Sequence, residues 1–314
     1  MPNIWTHNWF GDKVAEQSRL YVSPTDAEIR NIFHLGCQGP DFLFYHRFLP
    51  WQGTSDMNKL ASRLHSEFCG PILLDMAKTL KEQQAKPNDS LTHYVLGFMM
   101  HHVLDRNMHP YVFCKSGSIK WNHQRFEVIM DTLVMKKVLG IETWATPVWK
   151  QIYIGPQLPS PISTMMARIT ETYFPELNKN MTAADWNAAY LDMIRAQRIF
   201  HDPYAIKRIL TLGQIEPLVY KRRNKQLDYL NEARTEWRHP AVPDEVSTAS
   251  FWDLWELAMV DGLKVWQAAE EYLFREDQPL AYDKLTEAIG NLSYEHGKSC
   301  DAGLEIIHEE PIWT

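Results

Sequence analysis

A chain of 314 residues, 45% hydrophobic and 23% charged, can bury a large core without a disulfide or a metal to hold it folded. Its net charge of −7 argues against a basic nucleic-acid groove, so no stable nucleic-acid partner is expected, although bound cations can supply positive charge to a phosphate. No apolar run reaches the roughly 18–20 residues of a transmembrane helix, and the N-terminus has no signal-peptide pattern.

In chain order, residues 56–84 read as helix with a break at Gly70-Pro71. Residues 89–108 form an apolar helix expected to stop at His109-Pro110. A third helix runs from about Trp121 to Val138, with Phe126, Ile129, Met130, Leu133 and Val134 on one face. Thr182, three residues before Asp185, is a capping-box-like start for a helix to Phe200. Residues 204–234, 247–275 and 279–309 also read as helical, the last despite Gly290, Gly297 and Gly303. Thr146–Pro161 and His239–Ser250 are rich in breakers and read as loops. There is no βαβ alternation and no glycine-rich phosphate loop. The expected class is all-α, one helical domain over residues 1–314, with a metal-site half over about 1–140 and further helices over about 163–314. Cys37, Cys69, Cys114 and Cys300 lack CxxC spacing, so free thiols and a cytoplasmic location are expected.

Histidine carries the chemical signal. Nine of thirteen histidines fall within the first 123 residues. His101-x-x-x-Asp105 places an imidazole and a carboxylate one turn apart on one helix face, and His109 follows four residues on. His123-x-x-x-Glu127 repeats the arrangement on the next helix. Alone, each pair is more often a surface pair or a capped core histidine. Together on apolar helices they suit a metal site built inside a bundle. His7, Asp41 and His46 lie in segments that can join them. Eight nitrogen and oxygen ligands without a thiolate exceed the need of one zinc ion and suit a cluster of two or three. His65, His93 and His102 read as core or supporting residues.

The ordered segments Met1-Pro-Asn-Ile-Trp-Thr-His7, Leu35-Gly-Cys-Gln-Gly-Pro-Asp41, Gly97–Pro110 and His123-Gln-Arg-Phe-Glu127 make the chain resemble the zinc-dependent phospholipase C family. That family includes bacterial phospholipases C and, more distantly, the P1-type nucleases. The resemblance covers about residues 1–140 and implies a multi-helix bundle with a three-zinc site. It implies that Asp41, His46, His101 and Asp105 hold one ion, and His109, His123 and Glu127 a second. Asp105 would bridge to a third, also bound by His7. His65 is the substitute for His46, because the Asp41–His46 gap is short. The secreted enzymes complete the third site with the free amine of an N-terminal tryptophan, whereas Trp5 here has four residues before it.

The expected activity is hydrolysis of a phosphoric ester, a small phosphoester or a phospholipid, by metal-activated water. Asp41 would either ligate or act as general base. Arg106 and Arg125 are given no catalytic role. One alternative is a helical protein whose zinc is structural. Another, prompted by His201-Asp202, is an HD-type phosphohydrolase, for which Pro203 is awkward.

Overall fold

The computed structural model describes residues 3–17, 27–119, 121–275 and 280–313. Met1 and Pro2 of the N-terminal motif, and Pro279, lie outside them. The fold is all-α. In chain order the described residues form α1 (Ile4–Glu16), α2 (Ala27–Gly36), a 3-10 turn (Asp41–Tyr45), α3 (Asp56–Ser66), α4 (Cys69–Glu82), α5 (Ser90–Ser116) and α6 (Asn122–Leu139). After these come α7 (Ser160–Tyr173), α8 (Pro175–Asn178), α9 (Ala183–Phe200), α10 (Ile206–Leu210), α11 (Phe251–Phe274) and α12 (Ala281–Ile289). Trp237–Arg238 and Val246–Ser247 pair as a minimal antiparallel ribbon. No helix among the described residues is long and apolar enough to cross a membrane.

α5 is the central element. It packs against α1, α2, α4, α6 and α11, and nearly all of its residues are buried. A helix with apolar side chains all round has no solvent face to offer, so it takes the middle of the bundle. Small residues allow its closest approach to α2. A Cβ at Gly36 would stand 2.2 Å from the Tyr94 carbonyl oxygen, and one at Gly97 would stand 2.4 Å from that of Phe33.

Two helix boundaries in the first half differ from the sequence expectation. α5 does not stop at His109-Pro110 but runs on to Ser116 with Pro110 inside it. Proline leaves the carbonyl four residues back, that of Arg106, without its helical donor. Gly297 packs against that carbonyl, closely enough that a Cβ there would lie 2.2 Å from its oxygen. The break between α3 and α4 falls at Phe68, in the left-handed region with φ 53°, just before Gly70-Pro71.

Residues 204–234 are not one helix. They hold only α10 and a 3-10 turn at Glu216–Leu218, with Gly213 at φ 80° between them. The 279–309 expectation shrinks to α12 and a 3-10 turn at Cys300–Ala302. Gly290, Gly297 and Gly303 adopt φ of 65°, 66° and 60°, and each turns the chain out of the helical region. The starts of α9 and α11 are closed by capping boxes, Thr182 with Asp185 and Ser250 with Asp253.

Candidate metal centre

The helical repeat sets out the first ligands. His101, Asp105 and His109 recur every four residues and form one stripe on α5. His123, Glu127 and Asp131 do the same on α6. α1 adds His7, the 3-10 turn adds Asp41, and the last turn of α3 adds His65.

These side chains meet in three groups whose candidate ligand atoms lie within 4.8 Å of one another: His7 with His101 and Asp105; Asp41 with His65 and His101; and His109 with His123 and Glu127. In the first group the Asp105 carboxylate lies between two imidazoles. Its Oδ1 is 3.2 Å from His7 Nε2 and its Oδ2 is 3.1 Å from His101 Nε2. The two rings stack with centroids 4.4 Å apart. In the second group His65 Nε2 is 3.1 Å from Asp41 Oδ1, which is 4.0 Å from His101 Nε2. In the third, His123 Nε2 is 2.6 Å and His109 Nε2 4.0 Å from Glu127 Oε1.

Donor chemistry and spacing fit metal ions. Ligand atoms around tetrahedral zinc stand about 3.3 Å apart, given metal–ligand bonds near 2.0–2.1 Å. Both Asp105 oxygens, both His7 nitrogens and His101 Nε2 are buried without completing a hydrogen bond. Buried polar atoms are rarely left so, and a bound ion is one of the few explanations. The outer nitrogens are committed in the way metal-binding histidines require. Nδ1 of His101 is 3.0 Å from the Cys37 carbonyl oxygen, that of His65 is 2.7 Å from Ala61's, and that of His109 is 2.7 Å from Tyr294's. If each Nδ1 carries the proton that these carbonyls accept, each Nε2 keeps a lone pair for a cation.

Electrostatics favour ionised carboxylates at Asp105 and Glu127 and a neutral imidazole at His7. Burial opposes ionisation of Asp105, yet His101 and His109 hold its carboxyl well below the usual range. Burial likewise opposes ionisation of Glu127, and His123 draws it below its ordinary value. Burial, reinforced by His101, lowers His7 and keeps it neutral. Burial is the largest influence on His65 and lowers it, but the hydrogen bond and charge of Asp41 and the charge of Asp105 together outweigh it, and the net shift is upward.

Exposure is graded. His101 and Asp105 are fully enclosed, whereas Asp41 and His123 side chains are 12% and 21% exposed. The cluster therefore has a closed floor and a rim open towards solvent.

His46 is not part of these groups. It ends the 3-10 turn with extended backbone, its Nδ1 lies 2.8 Å from Ser55 Oγ, and its Nε2 is 3.9 Å from Asp185. His65 stands opposite Asp41 instead. Trp5 lies inside α1 rather than offering a free amine. Its backbone N–H donates to Asp131 Oδ2 at 3.0 Å inside the first turn of α1.

Asp131 itself went unread in the sequence. Its Oδ1 also accepts from the Thr6 N–H and hydroxyl, and its Oδ2 from Tyr220 Oη at 2.8 Å. The signal was present as a second four-residue step, from Glu127 after the first from His123. Tyr294 and Glu295 were unread too, because a single helix over 279–309 gives no hint of the irregular chain after Ile289 on which they lie. The Tyr294 ring lies 5.1 Å from that of His65 and 5.7 Å from that of His101. Burial raises the Glu295 carboxyl, against the opposing influence of His65 and His123.

Other sequence candidates are engaged elsewhere. Arg106 binds the Ile289 carbonyl and Asp261, and Arg125 stacks over Trp313. Nε2 of His102 is 2.8 Å from the Leu292 carbonyl oxygen, and burial pushes its pKa down to about 3. Asp202 accepts from the backbone N–H groups of Lys207 and Arg208 at the start of α10, and among the described residues neither His201 nor Asp202 falls in a candidate ligand group. Comparison of the chain with protein-family models, with curated proteins and with solved structures returned no match. The fold and site define an all-helical protein with buried imidazole–carboxylate groups suited to metal ions.

Proposed function

We propose that the protein is a zinc-dependent hydrolase of phosphoric esters, acting on a phospholipid or another phosphodiester, and a distant relative of the zinc-dependent phospholipases C. The observation that carries this reading is the Asp105 carboxylate, enclosed between His7 and His101 with neither oxygen completing a hydrogen bond. A lone structural zinc needs four ligands and a closed shell. Here three ligand groups adjoin, and two of their members, Asp41 and His123, keep some exposure.

His7, Asp41, His65, His101, Asp105, His109, His123 and Glu127 would hold two to three ions. His101 offers one nitrogen to two groups, so its choice decides which of them is filled first. Bound zinc supplies Lewis acidity and brings the pKa of a coordinated water to around 7. Asp41, on the open rim, holds a cation or takes the proton of the attacking water. The carbonyls of Cys37, Ala61 and Tyr294 keep the imidazoles oriented. The Tyr45 hydroxyl is pushed up by burial, with Asp41 and Glu127 adding to the shift, and stays protonated beside the carboxylates.

The test is hydrolysis of bis(4-nitrophenyl) phosphate and 4-nitrophenylphosphocholine by protein purified without chelator. Activity is expected, abolished by chelation, restored by zinc and absent in Asp105→Asn. If no phosphodiester or phosphomonoester is cleaved across about pH 6–9 while Asp105→Asn still loses metal and melts earlier, the ions are structural and the enzyme reading falls.

A further inference from the structure

The chain between Phe200 and Lys225 is built unlike the rest of the surface. Ile206, Ile209 and Leu210 fall at i, i+3 and i+4 on α10, which makes one apolar face. A helix of a globular protein normally turns such a face to the core. This one turns it to solvent. Ile209 is 72% exposed, Leu210 76% and Leu212 91%, with Tyr204 exposed beside them. Clustered large apolar residues at that exposure mark an interaction surface.

The charge around them is equally uneven. Residues 195–225 carry eight lysines and arginines against two acids, in a chain of net charge −7. Both acids are consumed locally. Asp202 caps the start of α10 and pairs with Arg208, and Glu216 lies 3.6 Å from Arg208 and 2.7 Å from Lys221. Glu216 thereby draws the basic run Lys221-Arg-Arg-Asn-Lys225 up to the short helix. Arg222, Arg223 and Lys225 are exposed.

The base of the segment is firm. Val219 is buried with Ala196 and Phe200. The next residue, Tyr220, hydrogen-bonds to Asp131, one turn beyond Glu127 on α6. The exposed apolar tip and the metal centre thus share one support.

We propose that residues 204–225 dock the protein on an anionic lipid bilayer, with the apolar face of α10 and Leu212 inserted at the headgroup boundary and the basic run against the lipid phosphates. Aliphatic side chains flanked by arginine and lysine have the chemistry of an interfacial anchor. A second copy docking through the same face would meet the same positive field and be repelled. A nucleic acid would use stacking aromatics, and only Tyr204 offers one here. The surface stands on its own residues. Its use in bringing phospholipid to the metal centre rests on the function proposed above.

The experiment is flotation of the full chain with vesicles of phosphatidylglycerol and phosphatidylcholine in equal parts, and with vesicles of phosphatidylcholine alone. Two double variants are compared, Ile209→Ser with Leu212→Ser, and Arg222→Gln with Arg223→Gln. Each changes exposed side chains, and unaltered thermal melting checks the fold. Binding to the anionic vesicles alone is expected, weakened about tenfold or more in either variant and weakened by salt. No binding at low ionic strength, or binding that the variants leave unchanged, overturns the proposal. So does self-association or oligonucleotide binding that the variants abolish while vesicles stay unbound. Hydrolysis of the soluble bis(4-nitrophenyl) phosphate is read in parallel and should be equal in all three proteins. Vesicle binding without hydrolysis would leave the docking surface standing and remove the enzyme reading; hydrolysis without binding would do the reverse.

Discussion

His65 Nε2 lies 3.1 Å from Asp41 Oδ1, although 24 residues separate them. The contact joins the last turn of α3 to the 3-10 turn and completes a group with His101. His46 is much nearer to Asp41 in sequence and points instead to Ser55. His65→Ala is therefore expected to lose metal and hydrolysis together. His46→Ala should keep both and lose only the stability of a buried hydrogen bond, about 1 kcal/mol. Elemental analysis of the two variants decides it. Metal loss in His46→Ala with retention in His65→Ala would reverse the assignment.

Gly39 tests how tightly the floor is shaped. It sits at φ 50°, and a Cβ there would stand 2.0 Å from His101 Cδ2. Gly39→Ala adds one methyl but must displace the imidazole or the loop. A loss of about 1–3 kcal/mol in stability is expected from overpacking and the strained φ. Zinc affinity should fall with it, since His101 serves two ligand groups. Denaturant unfolding and a competitive zinc titration measure the two effects. Wild-type values in both would show that the loop passes clear of His101.

The four-residue steps on α5 and α6 were legible because helix geometry alone puts those residues on one face. Asp131 was legible by the same rule. His65 was open only as the substitute for His46, since its approach to Asp41 depends on the path of residues 46–55, which no periodicity dictates. The continuation of α5 through Pro110 was equally hidden. Gly297, almost two hundred residues away, packs against the Arg106 carbonyl that Pro110 leaves without its helical donor, an approach no local pattern announces. The 204–234 and 279–309 segments misled for opposite reasons. In the first, the apolar spacing of α10 is real but faces solvent. In the second, glycines adopt the positive φ that ends a helix.

Asp131 gives the fold a pH dependence whose sign is fixed. Burial pushes its carboxyl from the ordinary 3.8 up to about 6, against the hydrogen bonds of Thr6, Tyr220 and Trp5. Between those values the folded chain holds a proton that the unfolded chain has released. The stability this group contributes is thus fully present below about pH 3.8 and is lost as pH rises towards 6, by about 3 kcal/mol in all. Asp131→Asn removes the titration. The difference between wild-type and variant unfolding free energies, followed by urea denaturation from acid to neutral pH, should change across that window. Parallel profiles would mean that the four donors outweigh burial.

The central claim is a multinuclear centre, and its most direct measure is the zinc content of the full chain purified without chelator. Three adjoining ligand groups around Asp105 predict about two to three tightly held equivalents per chain. About one equivalent, or none after incubation with zinc and removal of the excess, would contradict the centre and the phosphoester chemistry built on it.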